Sequence, residues 1–171
     1  KEELIRHNIG IIIEQVEKKY NTLDINFDRE DCFSIGLIAL DKAIDTYVQR
    51  IGHYMPIEVI EVADVKNAKN MDIAQLRQKE GELIIKQLRP DDYVVFLDDK
   101  GKQMSSTEFA DWIDRHNINS SIKRLVFVIG GAYGFSVEAY KHAKSFLSIS
   151  KMTFSHQMIR LLFIEQLYRA Y

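Results

Sequence analysis

Two short apolar runs, each followed directly by small or polar residues, dominate the final third of the chain. Residues 125–129 are followed by the pair Gly130-Gly131, and residues 146–149 are followed by Ser150. Continuous apolar runs of this length are typical of strands that are buried on both faces of a parallel sheet. The residues that follow them predict loops at the carboxyl edge of such a sheet, where the ligands of open α/β folds bind.

The same pattern extends towards the middle of the chain. Residues 93–97 form another apolar run, which is followed by a polar stretch, 98–101, with the character of a loop. The β-branched residues of segment 57–62 predict one further strand. With the helices expected between these runs, the order from residue 57 onward is β-α-β-α-β-α-β-α. Such alternation predicts an α/β fold with a mostly parallel sheet.

The helices of this pattern carry recognisable start signals. Asp72 and Ser136 stand where N-caps are expected, and Ser105 is followed by Glu108 in the spacing of a capping box. The last helix is predicted over residues 157–169. These signals are local, and they fix where the chain enters each helix.

The first 50 residues have a different character. Apolar residues at helical spacing predict helices over 4–20 and 32–47. The run 9–16 is rich in β-branched residues and also suits a strand, so both alternatives stay open at this point. The chain therefore predicts a helical N-terminal segment before the α/β part.

Composition narrows the classes of function. The chain has 171 residues and a net charge of −2, so no overall positive field draws it to nucleic acid. Basic residues outnumber acidic ones over 141–171, which places any polyanion contact near that end. Cys32 is the only cysteine, and no His/Cys cluster has zinc spacing, so neither a disulfide nor a metal site is predicted. Without a signal peptide or a long apolar run, we expect a cytoplasmic protein and no membrane contact.

The glycine loop, residues 130–134, and the last helix offer candidate binding groups. Glycines permit close approach of a ligand to the backbone, but the spacing Gly-Gly-x-x-Gly differs from the dinucleotide-binding signature. His156 and Arg160 are four residues apart on one helical face, as are Glu165 and Arg169. The alternative for the second pair is a surface ion pair of about 0.3–0.5 kcal/mol.

The motifs of residues 41–171 resemble those of a known family. They read YVQRIGHYMPIEVIEV, KNAKN, KEGELI, VVFLDDKGKQMSS, RLVFVIGGAYGFS and SISKMTFSHQMIRLLFIEQLYRA. These motifs resemble the bacterial large-subunit rRNA pseudouridine N3-methyltransferases, the RlmH family of the SPOUT class. The resemblance implies an α/β domain with a C-terminal trefoil knot, S-adenosylmethionine as methyl donor, a homodimer, and the ribosome as partner.

The resemblance also implies site residues. Arg169 and His156 match positions near the reaction centre or the RNA, and Arg160 and Tyr168 would contact the substrate. The methyl-donor pocket would be lined by a larger set, largely through backbone groups: Leu97, Gly130, Gly131, Ile149, Ser150, Lys151, Met152, Thr153 and Phe154.

Residues 1–47 resemble another kind of protein. They contain EELIRHNIGIIIEQVEKKYN and EDCFSIGLIALDKAIDTY, which are similar to region two of a bacterial housekeeping-type sigma factor. The two resemblances predict a chimera joined within one helix. Its parts would be a sigma-like segment, 1–47, and a SPOUT-like domain, 48–171, that lacks its usual first strand and C-terminal tail.

Three functions follow from these resemblances. The first is methyl transfer to N3 of a pseudouridine in large-subunit rRNA. The alternatives are a fragment that binds the RNA polymerase core, and an inactive chimera that retains only a cofactor pocket.

Overall fold

The structure, a computed structural model, describes residues 29–66 and 68–171. The helix and the alternative strand predicted within residues 4–20 lie outside this part. We number the helices and strands in chain order; a short 3-10 turn, Ala68–Asn70, precedes the second helix. The elements are α1 (Arg29–Ile51), α2 (Ile73–Ile85), β1 (Asp92–Gln103), α3 (Ser106–Ile118), β2 (Arg124–Ile129), α4 (Val137–Tyr140), β3 (Ser145–Ser148) and α5 (His156–Arg169).

The sheet of the described chain is parallel, with strand order β2-β1-β3. The central strand, β1, pairs with both neighbours, α3 connects it to β2, and α4 connects β2 to β3. This arrangement confirms the predicted α/β fold with a parallel sheet. None of the described helices combines the length and the apolar character needed to cross a membrane.

Both faces of the sheet are covered, which explains the continuous apolar runs. On one face, Phe96 packs against Phe135 with ring centroids 4.2 Å apart. On the other face, Phe127 of β2 contacts Phe163 of α5, with ring centroids 4.8 Å apart. Phe96 is fully buried. Burial of each such side chain contributes about 1.5–3 kcal/mol to folding.

The predicted caps form. Asp72 accepts a hydrogen bond from the Gln75 amide at 2.7 Å and begins α2. Ser105 and Glu108 form a reciprocal capping box at the start of α3. Ser136 caps α4, which ends at Tyr140. These confirmed positions show that side-chain to backbone bonds within one turn set the helix starts.

The strand predicted over residues 57–62 is wrong. This segment has no regular secondary structure, and Val59 and Ile60 are 52% and 43% exposed. β-branched residues favour an extended backbone, but a strand needs a neighbour whose peptide groups complete the ladder. No strand among residues 29–66 and 68–171 pairs with this segment, so the preference alone does not produce a strand.

The loop predicted over residues 98–101 is also wrong, because β1 continues to Gln103. Leu97 and Lys102 both have Leu147 as their pairing partner, so the residues between them bulge out of the ladder. Gly101 lies within this bulge, and a Cβ there would stand 2.6 Å from the Leu147 carbonyl carbon. The close approach of the two backbones explains the glycine.

A buried ion pair joins the first residues of β1 and β2. Asp92 is 5% exposed and accepts hydrogen bonds from Arg124 Nε at 2.8 Å and Arg124 Nη2 at 2.6 Å. It also accepts one from the Arg89 amide at 2.7 Å. The bonds from Arg124 lower the pKa of Asp92 despite its burial. The buried carboxylate is therefore fully satisfied, and it fixes the register of the two strands.

Replacing Asp92 with Asn should destabilise the protein by about 2 kcal/mol at pH 7, because Arg124 loses its partner. The folded-state pKa of Asp92 is depressed, so its contribution is present above the unfolded value of about 3.9 and is lost as the pH falls through the folded value. The difference in the free energy of unfolding between Asp92→Asn and the wild type, measured with urea, should therefore shrink from pH 7 towards pH 3.

Asp91→Asn is the matched control, since Asp91 is exposed. Its effect should stay within about 0.5 kcal/mol. An Asp92→Asn defect of equal size at pH 7 and pH 3 would contradict the role given to the ionised carboxylate.

Candidate functional site

The strand register brings three segments together at the carboxyl edge of the sheet. Leu97 of β1 is paired with Ile129 of β2 on one side and with Leu147 of β3 on the other. Gly130 and Ser148 therefore follow at the same level of the sheet. With neighbouring strands about 4.8 Å apart, they lie roughly 10 Å from each other across β1.

The glycine loop on the β2 side is tightly constrained. A Cβ at Gly130 would lie 2.9 Å from the Phe135 ring. Gly134 has a φ of +76°, a conformation that favours glycine, and its amide donates a hydrogen bond to the Gly131 carbonyl at 3.1 Å. The loop thus presents backbone without side chains at Gly130 and Gly131.

The loop after β3 is ordered by its serines. Ser148 Oγ donates to the Ser150 carbonyl at 3.1 Å, and Ser150 Oγ accepts a hydrogen bond from the Met152 amide at 3.0 Å. Ile149 is half-buried, whereas Met152 is 68% exposed. This part of the predicted pocket is therefore an open surface whose backbone is shaped by local bonds. Its remaining predicted members, Lys151, Thr153 and Phe154, are exposed as well.

A hydrogen bond connects the end of β1 with α4. The Tyr140 hydroxyl donates to Asp98 Oδ2. Burial and this bond raise the pKa of Tyr140 to about 12. Burial opposes ionisation of Asp98, but the bonds from Tyr140 and the Lys100 amide outweigh it and lower the pKa of Asp98. Asp98 thus stays ionised and Tyr140 stays protonated at neutral pH, which suits a structural bond beside Leu97.

Helix α5 separates the residues predicted to act at the reaction centre. Ser155 caps the helix, and His156, exposed, is its first residue. Arg169 is the last residue and forms an ion pair with Glu165, as the alternative interpretation of that spacing predicts. At a rise of about 1.5 Å per residue, His156 and Arg169 lie roughly 20 Å apart. The structure does not bring them together within one chain.

The two residues predicted to contact the substrate, Arg160 and Tyr168, are also separated along α5. Arg160 lies near the start of α5 and forms an ion pair with Glu61 at 2.8 Å. Tyr168 lies near the end, where its ring is 5.6 Å from that of Tyr47. The Arg50 guanidinium lies 5.8 Å from the Tyr47 ring and 5.7 Å from the Tyr168 ring. Tyr168 is thus held in an aromatic and cationic cluster.

Helix α2 contributes side chains that the sequence interpretation missed. Arg77 Nε donates to the Tyr133 carbonyl at 2.6 Å, and the Glu80 carboxyl group lies against Gly131. A signal in the sequence is Gly81, which stands beside Glu80 in the motif KEGELI, because a glycine within a helix costs about 1 kcal/mol relative to alanine. A Cβ there would lie 2.1 Å from Ser136 Oγ, so α2 packs closely on the start of α4, which directly follows the glycine loop.

A small cavity lies elsewhere in the domain. Its volume is about 100 Å³, and none of the predicted site residues lines it. It lies beside Val95, Lys102 and Trp112, together with residues of β3. The carboxyl edge, where the register places the predicted loops, is the better candidate for function because it follows the topology of parallel sheets.

Comparison with known proteins gives the family. A family model described as "Predicted SPOUT methyltransferase" matches residues 35–171. It begins somewhat before residue 41, where the sequence resemblance starts. The comparisons give no support to the sigma-like and chimeric interpretation of residues 1–47, which stays a prediction.

Relatives of high identity carry one name, "Ribosomal RNA large subunit methyltransferase H". The protein of Parabacteroides distasonis is 51% identical over 144 residues, which cover 80% of this chain and 91% of the relative. That of Phocaeicola vulgatus is 53% identical over 130 residues, with 75% and 81% covered. That of Flavobacterium psychrophilum is 47% identical over 146 residues, with 81% and 92% covered. On the family model and these relatives, the chain belongs to the SPOUT methyltransferase family.

Proposed function

We propose that this chain is an S-adenosylmethionine-dependent methyltransferase that acts on N3 of a pseudouridine in large-subunit rRNA. The observation that carries the proposal is the register of the sheet, which aligns Leu97, Gly130 and Ser148 at its carboxyl edge. The names of the relatives support the substrate, since each is called a large-subunit rRNA methyltransferase.

The carboxyl edge fits a ligand that is held mainly by backbone groups. Side chains are absent at Gly130 and Gly131, where a Cβ would meet the Phe135 ring at 2.9 Å and Glu80 Oε2 at 3.1 Å. A ligand can therefore approach the peptide groups of this loop from the solvent side. We assign the methyl donor to this loop, to Leu97 and to the segment 149–154. When bound, the donor supplies a methyl group already activated as a sulfonium.

The remaining demands on the protein are modest. It must align the pseudouridine with the donor and stabilise the negative charge that develops on the base as the N3 proton leaves. A guanidinium is suited to that charge because it stays protonated at all working pH values. We propose Arg169 for this role, with Tyr168 beside it as a binding surface for the RNA, and His156 and Arg160 as RNA contacts beside the donor loop.

The length of α5 bears on the oligomeric state. Arg169 lies roughly 20 Å along the helix from His156, which directly follows the donor loop. We therefore propose a homodimer in which the donor loops of one copy meet Arg169 of a second copy. The trefoil knot that the resemblance implies is part of the same proposal, with residues 149–154 as its donor-binding loop.

The proposal is tested by titrating the purified protein with S-adenosylmethionine in a calorimeter and then supplying unmodified ribosomes with labelled donor. We expect micromolar binding and transfer of methyl label to large-subunit rRNA at a pseudouridine. Binding without transfer would contradict the rRNA substrate. No binding of either the donor or S-adenosylhomocysteine would contradict the methyltransferase proposal as a whole.

Replacing Arg169 with Ala should lower the rate of methyl transfer by about tenfold or more, because the developing charge on the base loses its cation. The affinity for S-adenosylmethionine should not change, because the donor is held mainly by backbone groups of the loops and Arg169 acts on the base. The measurements are single-turnover transfer to ribosomes and calorimetric titration with the donor.

Lys141→Ala is the matched control, since Lys141 is also an exposed cation paired with a carboxylate near it in sequence, Glu138. Its transfer rate should equal that of the wild type. Equal rates for Arg169→Ala and Lys141→Ala would rule out the role proposed for Arg169.

A further inference from the structure

Glu80 of α2 lies directly beside the glycine loop, to which the methyl donor is assigned. A Cβ at Gly131 would be 3.1 Å from Glu80 Oε2 and 3.3 Å from Glu80 Oε1. A Cβ at residue 131 would require the carboxyl group to shift by a few tenths of an ångström. Glu80 is not part of the hydrophobic core of the sheet, which lies around Val94, Phe96 and Val128.

The carboxyl group of Glu80 is incompletely satisfied. Its Oε2 atom is buried and has no hydrogen-bond donor among the residues that the structure describes. An unpaired buried acceptor destabilises the folded state, because it has lost its hydrogen bonds to water without gaining others. The cation one turn earlier, Arg77, directs its Nε to the Tyr133 carbonyl instead. Folded proteins retain unsatisfied buried groups of this kind mainly where the group takes part in binding or catalysis.

The local electrostatics favour a cation. Burial raises the pKa of Glu80, and the negative charge of Asp64 raises it further. The charge of Asp64 thus adds to the negative potential at Glu80, and Glu80 lies beside Gly131. A bound positive charge would satisfy the buried oxygen and relieve the repulsion between the two acids.

We propose that Glu80 recognises a positively charged group of the methyl donor bound at the glycine loop. This inference rests on the proposed function. S-adenosylmethionine carries two such groups, the sulfonium and the α-ammonium, whereas methyl transfer leaves a product with a neutral sulfur. Glu80 would thus be a specificity residue that favours a charged donor over neutral adenosine compounds.

The test uses Glu80→Gln, which keeps the shape of the side chain and removes its charge. Calorimetric Kd values are measured for S-adenosylmethionine, for S-adenosylhomocysteine and for methylthioadenosine, which has the nucleoside but neither positive group. We expect Glu80→Gln to weaken donor binding about tenfold and to leave methylthioadenosine binding unchanged. S-adenosylhomocysteine, which keeps the ammonium and lacks the sulfonium, reports which cation is recognised. Its binding should weaken together with that of the donor if Glu80 binds the ammonium, and should stay unchanged if Glu80 binds the sulfonium.

Glu82→Gln is the matched control, because Glu82 lies on the same helix, is exposed and accepts a hydrogen bond from Gln78. It removes the same formal charge and should bind all three ligands as the wild type does. Equal weakening of all three ligands in Glu80→Gln would overturn the proposal, since it would show that Glu80 only supports the loop. Unchanged donor binding would overturn it too. Failure of the wild type to bind any of the three would instead contradict the proposed function, and the role of Glu80 with it.

Discussion

The pairing of β1 on both of its edges determines the rest of the domain. Leu97 is paired with Ile129 on one side and with Leu147 on the other. The loops that follow β2 and β3 therefore begin at the same level of the sheet. The helices then have to cross above or below the sheet, and they cover both of its faces. The alignment of the loops after β2 and β3 is a consequence of this register, so the candidate site depends on strand pairing more than on any single side chain.

Two carboxylates near opposite ends of the sheet differ in how completely their oxygens are hydrogen-bonded. Asp92, at the start of β1, is buried and accepts bonds from Arg124 and the Arg89 amide. Glu80, beside the loop at the carboxyl edge, has a buried oxygen without a donor in the described part of the chain. The first arrangement contributes to folding, whereas the second opposes it. Unsatisfied groups of this kind concentrate where a protein binds something else.

The sequence predicted what depends on local chemistry and missed what depends on distant partners. The caps at Asp72 and Ser105 were predictable because a side chain bonds to a backbone amide one turn away. The strand expected over 57–62 was not formed, since propensity cannot supply a neighbouring strand. The bulge before Lys102 and the packing of α2 on the glycine loop require contacts between segments far apart in the chain. The glycine loop itself was predictable because strand direction and strand ends fix its place.

Hydrogen exchange measured with and without S-adenosylhomocysteine tests the central claim most directly. If the ligand binds where the register aligns the loops, saturation should slow amide exchange in residues 130–134 and 149–154. Exchange in residues 57–62, which lie outside the sheet, should not change. Saturated binding with no protection in either loop, or with protection only around the cavity beside Trp112, would contradict the placement of the site.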